Sequence, residues 1–221
     1  HVVEALLKRK ARVFSTYLFH EPTSYFSTSH FEKKVTCIQQ DVRDLRGIRR
    51  IIDRFNIEYV MHLAAQPLVD VAVADPIQTL DTNILGTANV LEAVRMSKSV
   101  RGIIVASSDK AYGKHGKKKY LESDELRGDH PYEVSKSAAD LLCTMYSKTY
   151  NLPVVITRFG NIYGEGDLNM SRILPGILES LLCKKTLQLR SNGTYVRDYL
   201  YVKDVALGYI QLMENMENVR G

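Results

Sequence analysis

Residues 102–113, GIIVASSDKAYG, combine a short run of β-branched residues with a polar segment that begins where the run ends. This composition predicts a buried strand over residues 102–108. The serines, aspartate and lysine then lie at the carboxyl end of a strand, where parallel sheets bind their ligands. The stretch therefore points both to a fold and to the edge of the sheet where a site is expected.

The same strand pattern occurs five times, and longer helical patterns separate the runs. Strands are predicted at residues 12–17, 35–42, 59–65, 102–108 and 153–159, and helices at about 2–10, 44–56, 76–98, 132–150 and 171–183. This alternation predicts βαβ units and a parallel sheet with helices on both faces. The expected fold class is α/β, a Rossmann-like doubly wound parallel sheet.

Composition is that of an ordinary globular chain, with 45% hydrophobic and 25% charged residues among 221. The chain shows neither an apolar run of about 20 residues nor the order of a secretory signal, so a cytoplasmic location is expected. Cys37, Cys143 and Cys183 are scattered among apolar neighbours. Their spacing favours buried thiols over disulfides or metal ligands, and no metal site is expected.

The net charge of +5 would suit an anionic partner, and KHGKKKY (residues 114–120) is the densest basic run. A run of this kind is more typical of a solvated loop, and no nucleic-acid-binding motif accompanies it. Neither nucleic acid nor a membrane is therefore expected as a partner.

Polar residues also follow the other predicted strands, in DV (41–42), HLAAQ (62–66) and GNIYGEGD (160–167). Each segment alone is explained as well by a turn or a cap. Their convergence on one edge of a sheet favours a buried reaction site.

The stretch HPYEVSKSAADLL (130–142) places Tyr132 and Lys136 one helical turn apart on a common face. A lone pair of this kind more often decorates a solvated surface. An ammonium about 4 Å from a phenol, however, favours the phenolate by roughly 4 kcal/mol at an effective dielectric of about 20, before desolvation. Such a tyrosine acts as a general base near neutral pH.

Together these motifs resemble the extended short-chain dehydrogenase/reductase family. DTNILGTANVLEA, RFGNIYGEGDLNMSRILPG and YVRDYLYVKDVA join HLAAQ, SSDKAYG and PYEVSK in the order and spacing of that family. Within it the chain is most similar to the NAD-dependent epimerase/dehydratase type, and among these to CDP-glucose 4,6-dehydratases. The resemblance covers nearly the whole chain.

The resemblance implies a nicotinamide-dinucleotide-binding Rossmann domain at residues 1–160 and a partial substrate-binding region at 161–221. Family members open with a strand and a Gly-rich turn that holds the cofactor pyrophosphate, whereas His1 resembles the start of the helix that follows. We therefore expect that the first strand and this turn are missing and that the C-terminal region is truncated.

The resemblance also implies roles for individual residues. Tyr132 would be the base at the sugar C4 hydroxyl, Lys136 its electrostatic partner and a contact of the nicotinamide ribose, and Ser108 a hydrogen-bonding partner of the C4 oxygen. Asp109 and Lys110 would be the acid and the base of water elimination. Cofactor contacts are implied for Asp41, Val42, Leu63, Ala64, Ala65, Gln66 and Lys136, and substrate contacts for Asn161 and Arg197.

The implied cofactor is NAD, but the residues leave NADP open. NAD enzymes place an acid after the second strand, and NADP enzymes tend to have a nearby arginine. VFSTYLFHEP (13–22) offers neither at the expected place, unless His20 or Glu21 folds back.

The implied reaction converts a nucleotide-diphosphate hexose, CDP-glucose in the first instance, into its 4-keto-6-deoxy derivative. A sugar-nucleotide 4-epimerase or reductase would share Tyr132, Lys136 and Ser108 but would not need Asp109 and Lys110, which would then form an ordinary surface ion pair. A non-catalytic nucleotide-binding regulator is the alternative outside enzymes.

The resemblance further implies a homodimer through the helices at about 76–98 and 132–150. NVLEAVRM (89–96) and AADLLCTMY (138–146) have the apolar content for such an interface, and the same residues would equally suit a core.

Overall fold

The computed structural model describes residues 1–114, 119–189 and 191–219. Its strands are β1 Phe14–Tyr17, β2 Thr36–Gln39, β3 Tyr59–His62, β4 Gly102–Ala106, β5 Val154–Thr157, β6 Asn161–Tyr163 and β7 Tyr199–Tyr201. Its α-helices are α1 Val2–Lys8, α2 Tyr25–Thr28, α3 Leu45–Phe55, α4 Val69–Ala74, α5 Pro76–Leu80, α6 Gly86–Arg95, α7 Pro131–Tyr150, α8 Ile173–Leu182, α9 Val202–Glu214 and α10 Met216–Val219. Short 3₁₀ helices cover Phe31–Lys33 and Asp109–Tyr112, and a π-helical turn covers Asp81–Leu85.

The central sheet is parallel, in the order β3-β4-β5. Tyr59 pairs with Gly102, and Ile103 pairs with Val154. β4 is the middle strand, and its Ile103, Ile104 and Val105 are almost completely buried, as a strand covered on both faces requires. β1 and β2 form a separate two-stranded sheet. The parallel strands and alternating helices confirm the predicted Rossmann-like α/β class, while a strand preceding β1 stays a prediction.

The chain divides into two compact units, and each unit is built from three separate segments of the sequence. One contains His1–Ser15, Phe19–Ile38 and Gly160–Gly208, and the other contains Thr16–Leu18, Gln39–Phe159 and Tyr209–Gly221. The two-domain organisation predicted from the resemblance, with its boundary at residue 160, stays a prediction.

The hydrophobic core of the second unit lies between the β3-β4-β5 sheet and the helices α3, α6 and α7. Ile48 and Ile52 stand one turn apart on α3, and Val90, Leu91 and Val94 contribute from α6. Within NVLEAVRM, Val90, Leu91, Ala93 and Val94 are thus core residues, whereas Met96 is exposed. On α7, Cys143 and Tyr146 join this core, whereas Leu141 and Met145 are exposed.

The helix predicted over 76–98 is a helical run interrupted by the π turn at Asp81–Leu85. A π turn shifts the residues that follow around the helix axis. Asn83 lies within this turn and is buried. Gly86 follows it, and a Cβ at that position would lie 2.7 Å from Val42 Cγ2, so glycine permits this close approach.

The strands are shorter than predicted because polar side chains end them. β2 ends at Gln39, and the Asp41 carboxylate accepts a hydrogen bond from the Arg43 backbone N–H at 2.8 Å. Ser108, predicted within a strand, instead caps the 3₁₀ helix at Asp109–Tyr112 by accepting from the Lys110 backbone N–H at 3.2 Å. These local bonds compete with the sheet ladder for the backbone.

Two cysteine predictions are wrong. Cys143 is buried as expected, but Cys37 and Cys183 are exposed, and all three are free thiols. Cys37 lies on β2, where three of four residues are exposed, and Cys183 follows the last turn of α8. At both positions the thiol is exposed even though apolar residues neighbour it in sequence.

Much of the basic run at 114–120 lies outside the described residues, since 115–118 are not described. Within the part of the chain that the structure describes, no helix is long and apolar enough to cross a membrane. The described residues also contain no cluster of three or more histidine, cysteine, aspartate or glutamate side chains suited to a metal ion.

Candidate active site

The first two turns of α7 hold the tyrosine and lysine of the candidate site. Pro131 occupies the first helical turn, where its missing N–H costs no hydrogen bond. Glu133 reaches back from the same turn and accepts from the Asp129 backbone N–H at 3.1 Å. Asn151, in the left-handed conformation, ends the helix. Tyr132 and Lys136 therefore lie one turn apart on a helix that is fixed at both ends.

Lys136 is bound to the carboxyl end of the central strand. Its side chain is buried, with 7% relative exposure, and its Nζ donates to the Ala106 carbonyl oxygen at 2.9 Å. Burial lowers the pKa of this ammonium from 10.5 to about 8. An ammonium whose pKa is close to neutral pH thus lies directly beside the last residue of β4. Such an arrangement is more typical of a functional site than of a surface lysine.

His62, at the end of β3, is a buried neighbour of this cation. Burial first, and then the charge of Lys136, lower the pKa of His62 from 6.5 to about 4. The imidazole is therefore neutral at physiological pH. Its Nε2 lies 3.0 Å from Thr87 Oγ1, and Thr87 donates to the Asn83 carbonyl oxygen at 2.6 Å. The second bond uses the only hydroxyl proton, so Nε2 of His62 is the donor in the first.

Ser108, Asp109 and Lys110 lie together on the 3₁₀ helix after β4. Ser108 Oγ donates to Asp109 Oδ1 at 3.1 Å, and Lys110 Nζ lies 3.0 Å from Asp109 Oδ2. Both charged side chains are partly buried. The three residues are therefore brought together, with Asp109 and Lys110 forming an ion pair.

Gly113 ends this 3₁₀ helix in a conformation that favours glycine. Its φ is +67°, and a Cβ there would lie 1.8 Å from the Arg127 carbonyl oxygen. Arg127 N–H also donates to the Ala111 carbonyl at 3.0 Å. Ser137 of α7 donates from its Oγ to the same carbonyl at 2.8 Å. The segment that carries Asp109 and Lys110 is thus fixed against both the following loop and α7.

A buried amide connects the loop after β3 to α7. Asn83 Oδ1 accepts from the Gln66 backbone N–H at 2.7 Å, and its Nδ2 donates to the Gln66 carbonyl at 3.0 Å and to Ser135 Oγ at 2.9 Å. Ser135 Oγ donates to the Tyr132 carbonyl at 2.7 Å. Sequence reasoning missed Ser135. Its occurrence directly before Lys136 in PYEVSK was the available signal.

The predicted cofactor contacts lie at two strand ends. Val42 is buried, and Asp41 is half-buried with its carboxylate held by Arg43, whose hydrogen bonds lower the pKa of Asp41. In the loop after β3, Leu63 and Ala64 are exposed and Ala65 and Gln66 are half-buried. The Gln66 backbone is the part of this loop that Asn83 fixes.

Asn161 and Arg197, the predicted substrate contacts, lie in the other compact unit. Asn161 is half-buried at the start of β6, and its Nδ2 donates to the Asp198 carbonyl at 3.2 Å. Arg197 is exposed, with its guanidinium 5.0 Å from the centre of the Tyr195 ring. Asn161 therefore contacts the residue that directly follows Arg197, beside the paired strands β6 and β7.

After β1, neither candidate for an acidic ribose contact is free. Glu21 accepts from the Thr23 side chain at 2.7 Å, and His20 Nε2 lies 3.8 Å from Glu32 Oε2. Glu21 is engaged within its own loop and His20 with the 3₁₀ helix Phe31–Lys33, so this region does not discriminate between NAD and NADP.

A parallel α/β sheet whose strand ends gather a Tyr/Lys helix, a serine and an Asp/Lys pair defines a dinucleotide-binding protein of Rossmann type. The model of the NAD dependent epimerase/dehydratase family matches residues 1–221. The chain therefore belongs to that family.

Individual relatives agree with this membership. CDP-glucose 4,6-dehydratase of Salmonella typhimurium is 31% identical over 186 residues, covering 80% of this chain and 52% of the relative. The chain thus spans about half the length of the curated relatives that it matches.

Solved structures show the same fold. A double mutant of the dTDP-glucose 4,6-dehydratase DesIV from Streptomyces venezuelae, with NAD bound, superposes with a TM-score of 0.87 at 25% identity, covering 96% of this chain and 67% of that one. UDP-glucuronic acid 4-epimerase from Bacillus cereus, in complex with UDP-glucuronic acid and NAD, gives 0.85 at 26% identity, covering 100% and 71%. The chain is therefore similar to both dehydratases and epimerases.

The depressed pKa of Lys136 predicts a specific dependence of stability on pH. Because the folded pKa, about 8, lies below the ordinary value of 10.5, the unfolded chain binds this proton more tightly than the native state. The free energy of unfolding should therefore rise as the pH increases from about 8 to 10.5. Lys136→Met should abolish this contribution and be more stable at pH 7 by about 1–3 kcal/mol. Denaturant unfolding across this pH range would measure both effects.

Lys8→Met provides the control, because Lys8 is an exposed lysine whose Nζ contacts Glu4 at 2.8 Å. It should retain the rise in stability above pH 8. If Lys136→Met retained the same rise, the buried ammonium would not be its origin.

Proposed function

We propose that this chain is the catalytic part of an NAD-dependent sugar-nucleotide 4,6-dehydratase, with CDP-glucose as its substrate. The observation that carries the proposal is the buried Lys136 ammonium, which lies one turn from Tyr132 on α7 and donates to Ala106, two residues before the Ser108–Asp109–Lys110 segment. The family membership and the relatives named above support the same class of reaction. The sequence resemblance to CDP-glucose dehydratases, including the Asp-Lys pair, supports the choice of sugar nucleotide.

The residues at the end of β4 fit a dinucleotide. Ser107 Oγ is buried and has no hydrogen-bond partner among the described residues. It neighbours Ala106, which holds the Lys136 ammonium. An unpaired hydroxyl and a buried cation suit the hydroxyl and amide groups of a nicotinamide riboside. Lys136 would hold the ribose, Asp41 and Val42 would lie beside the adenine, and residues 63–66 would pass under the cofactor.

Bound NAD would supply a hydride acceptor. At the sugar C4, Tyr132 takes the hydroxyl proton as the carbon is oxidised, and Ser108 turns its hydroxyl proton from Asp109 to the same oxygen. Lys136 stabilises the phenolate that this step requires, since an adjacent cation favours the charged form of a phenol. Its partial desolvation strengthens this interaction, because the effective dielectric near the buried ammonium is low.

Asp109 and Lys110 then supply the acid and base of elimination. In the ion pair Asp109 is a carboxylate and Lys110 is an ammonium, whereas the elimination needs a neutral carboxylic acid and a neutral amine. Transfer of one proton from Lys110 to Asp109 gives a neutral amine and a neutral acid without changing the net charge. Exclusion of water by the substrate favours this neutral pair, because a low dielectric penalises separated charges. Lys110 then removes the C5 proton, and Asp109 protonates the departing C6 hydroxyl. Return of the hydride to C6 and of a proton to C5 would complete the 4-keto-6-deoxy product.

The substrate diphosphate would be bound by Arg197, whose planar guanidinium matches phosphate oxygens in pairs. Asn161 would provide a neutral contact to the sugar nucleotide. Both assignments come from the family resemblance, and the exposure of Arg197 makes it accessible to an anionic ligand.

A sugar-nucleotide 4-epimerase or reductase is the alternative within enzymes. It would use Tyr132, Lys136 and Ser108 in the same way and would leave the Asp109–Lys110 ion pair intact. The chain is about as similar to a solved epimerase as to a solved dehydratase, so these structures do not distinguish the two reactions. A non-catalytic regulator, by contrast, would gain nothing from burying the Lys136 ammonium.

The proposal includes a homodimer formed through the helical run 76–95 and α7. Apolar side chains are exposed on both elements; they are Ile77, Leu85, Val134, Leu141 and Met145. Those on α7 recur at i, i+7 and i+11, which places them on one side of the helix. Burial of such a stripe against a second copy would remove apolar surface from water.

Tyr132→Phe should retain cofactor binding and lower turnover by about a hundredfold or more, because only the ionisable oxygen is lost. The measurements are bound cofactor per chain and steady-state turnover of CDP-glucose by the full-length protein. Tyr146→Phe is the matched control on the same helix, since Tyr146 OH donates to Glu92 Oε2 at 3.2 Å in the core. A Tyr132→Phe variant with nearly wild-type turnover would rule out the base assignment.

Lys110→Met should still reduce bound cofactor when CDP-glucose is added but should stall before water is lost. In the wild-type protein, deuterium placed at C4 of the substrate should appear in the C6 methyl group of a product that has lost one water. Mass spectrometry and deuterium NMR would measure both outcomes. An isomeric product with deuterium at C4 would identify an epimerase and leave Lys110 without a role.

Leu141→Arg should convert the full-length dimer into monomers, because it places a charge in the proposed apolar interface. Sedimentation velocity would measure the change. Leu178→Arg, on the exposed surface of α8, is the matched control and should leave the sedimentation coefficient unchanged. A wild-type protein that sediments as a monomer would contradict the dimer.

A further inference from the structure

Arg158 and Asp140 form a buried ion pair next to the candidate site. Arg158 Nε donates to Asp140 Oδ2 at 2.7 Å, and its Nη2 donates to Oδ1 at 2.9 Å. The carboxylate is completely buried, whereas the guanidinium is 21% exposed. The hydrogen bonds from the arginine occupy both carboxylate oxygens, which is the bidentate geometry expected for a strong charged pair.

Asp140 stands on the same side of α7 as the two candidate catalytic residues. Tyr132, Lys136 and Asp140 follow one another at intervals of four residues, so successive side chains are vertical neighbours. A buried carboxylate one turn beyond Lys136 is a natural partner for its ammonium. Such a contact would draw Nζ along the helix and away from the Ala106 carbonyl.

Cys143 shows that the two charges act in the same neighbourhood. Its pKa is raised to about 12, by burial first and then by Asp140, and Lys136 acts on the same thiol in the opposite direction. Lys136 nevertheless donates to Ala106, and the Asp140 carboxylate is bound by Arg158. The structure thus keeps apart two opposite charges that helix geometry would bring together.

We propose that Arg158 is a positioning residue that holds Asp140 away from Lys136, so that the lysine charge acts on Tyr132. This inference rests on the proposed function, in which Lys136 favours the phenolate. Arg158 is not expected to touch substrate or cofactor. Its role is to neutralise the one carboxylate of α7 that lies one turn beyond Lys136.

The remaining contacts of Arg158 fix its own position. Its Nη1 donates to Tyr112 OH at 2.8 Å and to the Glu122 carbonyl at 3.1 Å, and its guanidinium lies 5.0 Å from the centre of the Tyr112 ring. Tyr112 ends the 3₁₀ helix that carries Asp109 and Lys110. The arginine therefore spans the end of β5, α7 and this helix.

The elements that pack against α7 carry other charged groups. His62 of β3 is neutral, and Asp109 and Lys110 on the 3₁₀ helix offset one another. On α6, Glu92 is paired with Arg95. On the α4, α5 and π-turn side of α7, the acids are Asp70, Asp75 and Asp81; Asp75 accepts from the Gln78 backbone N–H at 3.0 Å. Asp140 is thus the carboxylate whose release would be felt most directly on the lysine.

The test is the ionisation of Tyr132 in the full-length protein. Arg158→Met should raise the phenol pKa by about one pH unit or more, because Lys136 turns to the released carboxylate. The pH dependence of cofactor reduction by CDP-glucose should shift equally, which lowers the rate at pH 7 about tenfold. Tyrosinate absorbance, taken as the difference from the matching Tyr132→Phe protein, measures the phenol without requiring turnover.

The double variant Arg158→Met/Asp140→Asn separates positioning from structure. It lacks the same contacts to Tyr112 and Glu122 but leaves no carboxylate to compete for Lys136, so both pH profiles should return to those of the wild type. Arg95→Met is the matched control, since Arg95 binds Glu92 through the same bidentate geometry at 2.7 and 2.6 Å. It should leave both profiles unchanged.

Two outcomes would overturn the proposal: an unchanged phenol pKa in Arg158→Met, or a raised pKa that persists in the double variant. If Arg158→Met does not fold, Arg158→Lys takes its place. Because a lysine holds the carboxylate at a single point, this variant should raise the phenol pKa of Tyr132 by a smaller amount, and adding Asp140→Asn should reverse the rise. If the wild-type protein shows no cofactor reduction with any sugar nucleotide, the proposed function fails, while the tyrosinate titration still decides the role of Arg158.

Discussion

The buried ammonium of Lys136 is the interaction on which the candidate site depends. Removing a cation from water is costly, and here the partner is a main-chain carbonyl rather than a carboxylate. That choice leaves the positive charge largely uncompensated, which is why its pKa falls to about 8. An uncompensated charge acts further than a paired one. The neutral His62 and the bidentate Asp140–Arg158 pair are consistent with this requirement, because neither adds a free negative charge next to the lysine.

The fold could be predicted from sequence because its signals are local. Runs such as IIVA in β4 and the 3.6-residue spacing on α3 reflect contacts that each element makes with one core. Strand ends were less predictable. They depend on single polar side chains, such as Asp41 and Ser108, that offer the backbone another hydrogen-bond partner. The π turn at Asp81–Leu85 was not predicted either, since its sequence is compatible with an ordinary helix.

In the candidate site, too, residues that are close in sequence could be predicted, and residues that meet only in the folded chain could not. Tyr132 and Lys136 are recognisable because one helical turn relates them, and Ser108–Lys110 because they are contiguous. Ser135 contacts Asn83 from 52 residues away, and Arg158 contacts Tyr112 from 46 residues away. No periodicity relates such positions, so only the folded chain shows that they belong to the site. Burial of Lys136 was likewise beyond the sequence, because a lysine in an amphipathic helix is ordinarily exposed.

The site as proposed separates two kinds of proton chemistry by structure. Tyr132 must ionise before it can accept a proton, so it needs a cation that is held in place throughout the reaction; Lys136 on the Ala106 carbonyl provides this. Asp109 and Lys110 need the opposite arrangement, since their reactive forms are neutral and arise by exchange of one proton within the pair. The first is served by a rigid helix and a central strand. The second is served by a short 3₁₀ helix whose side chains are in direct contact, so that exclusion of water by the substrate would favour the neutral pair. Burial thus favours a fixed charge at one position and a neutral pair at the other.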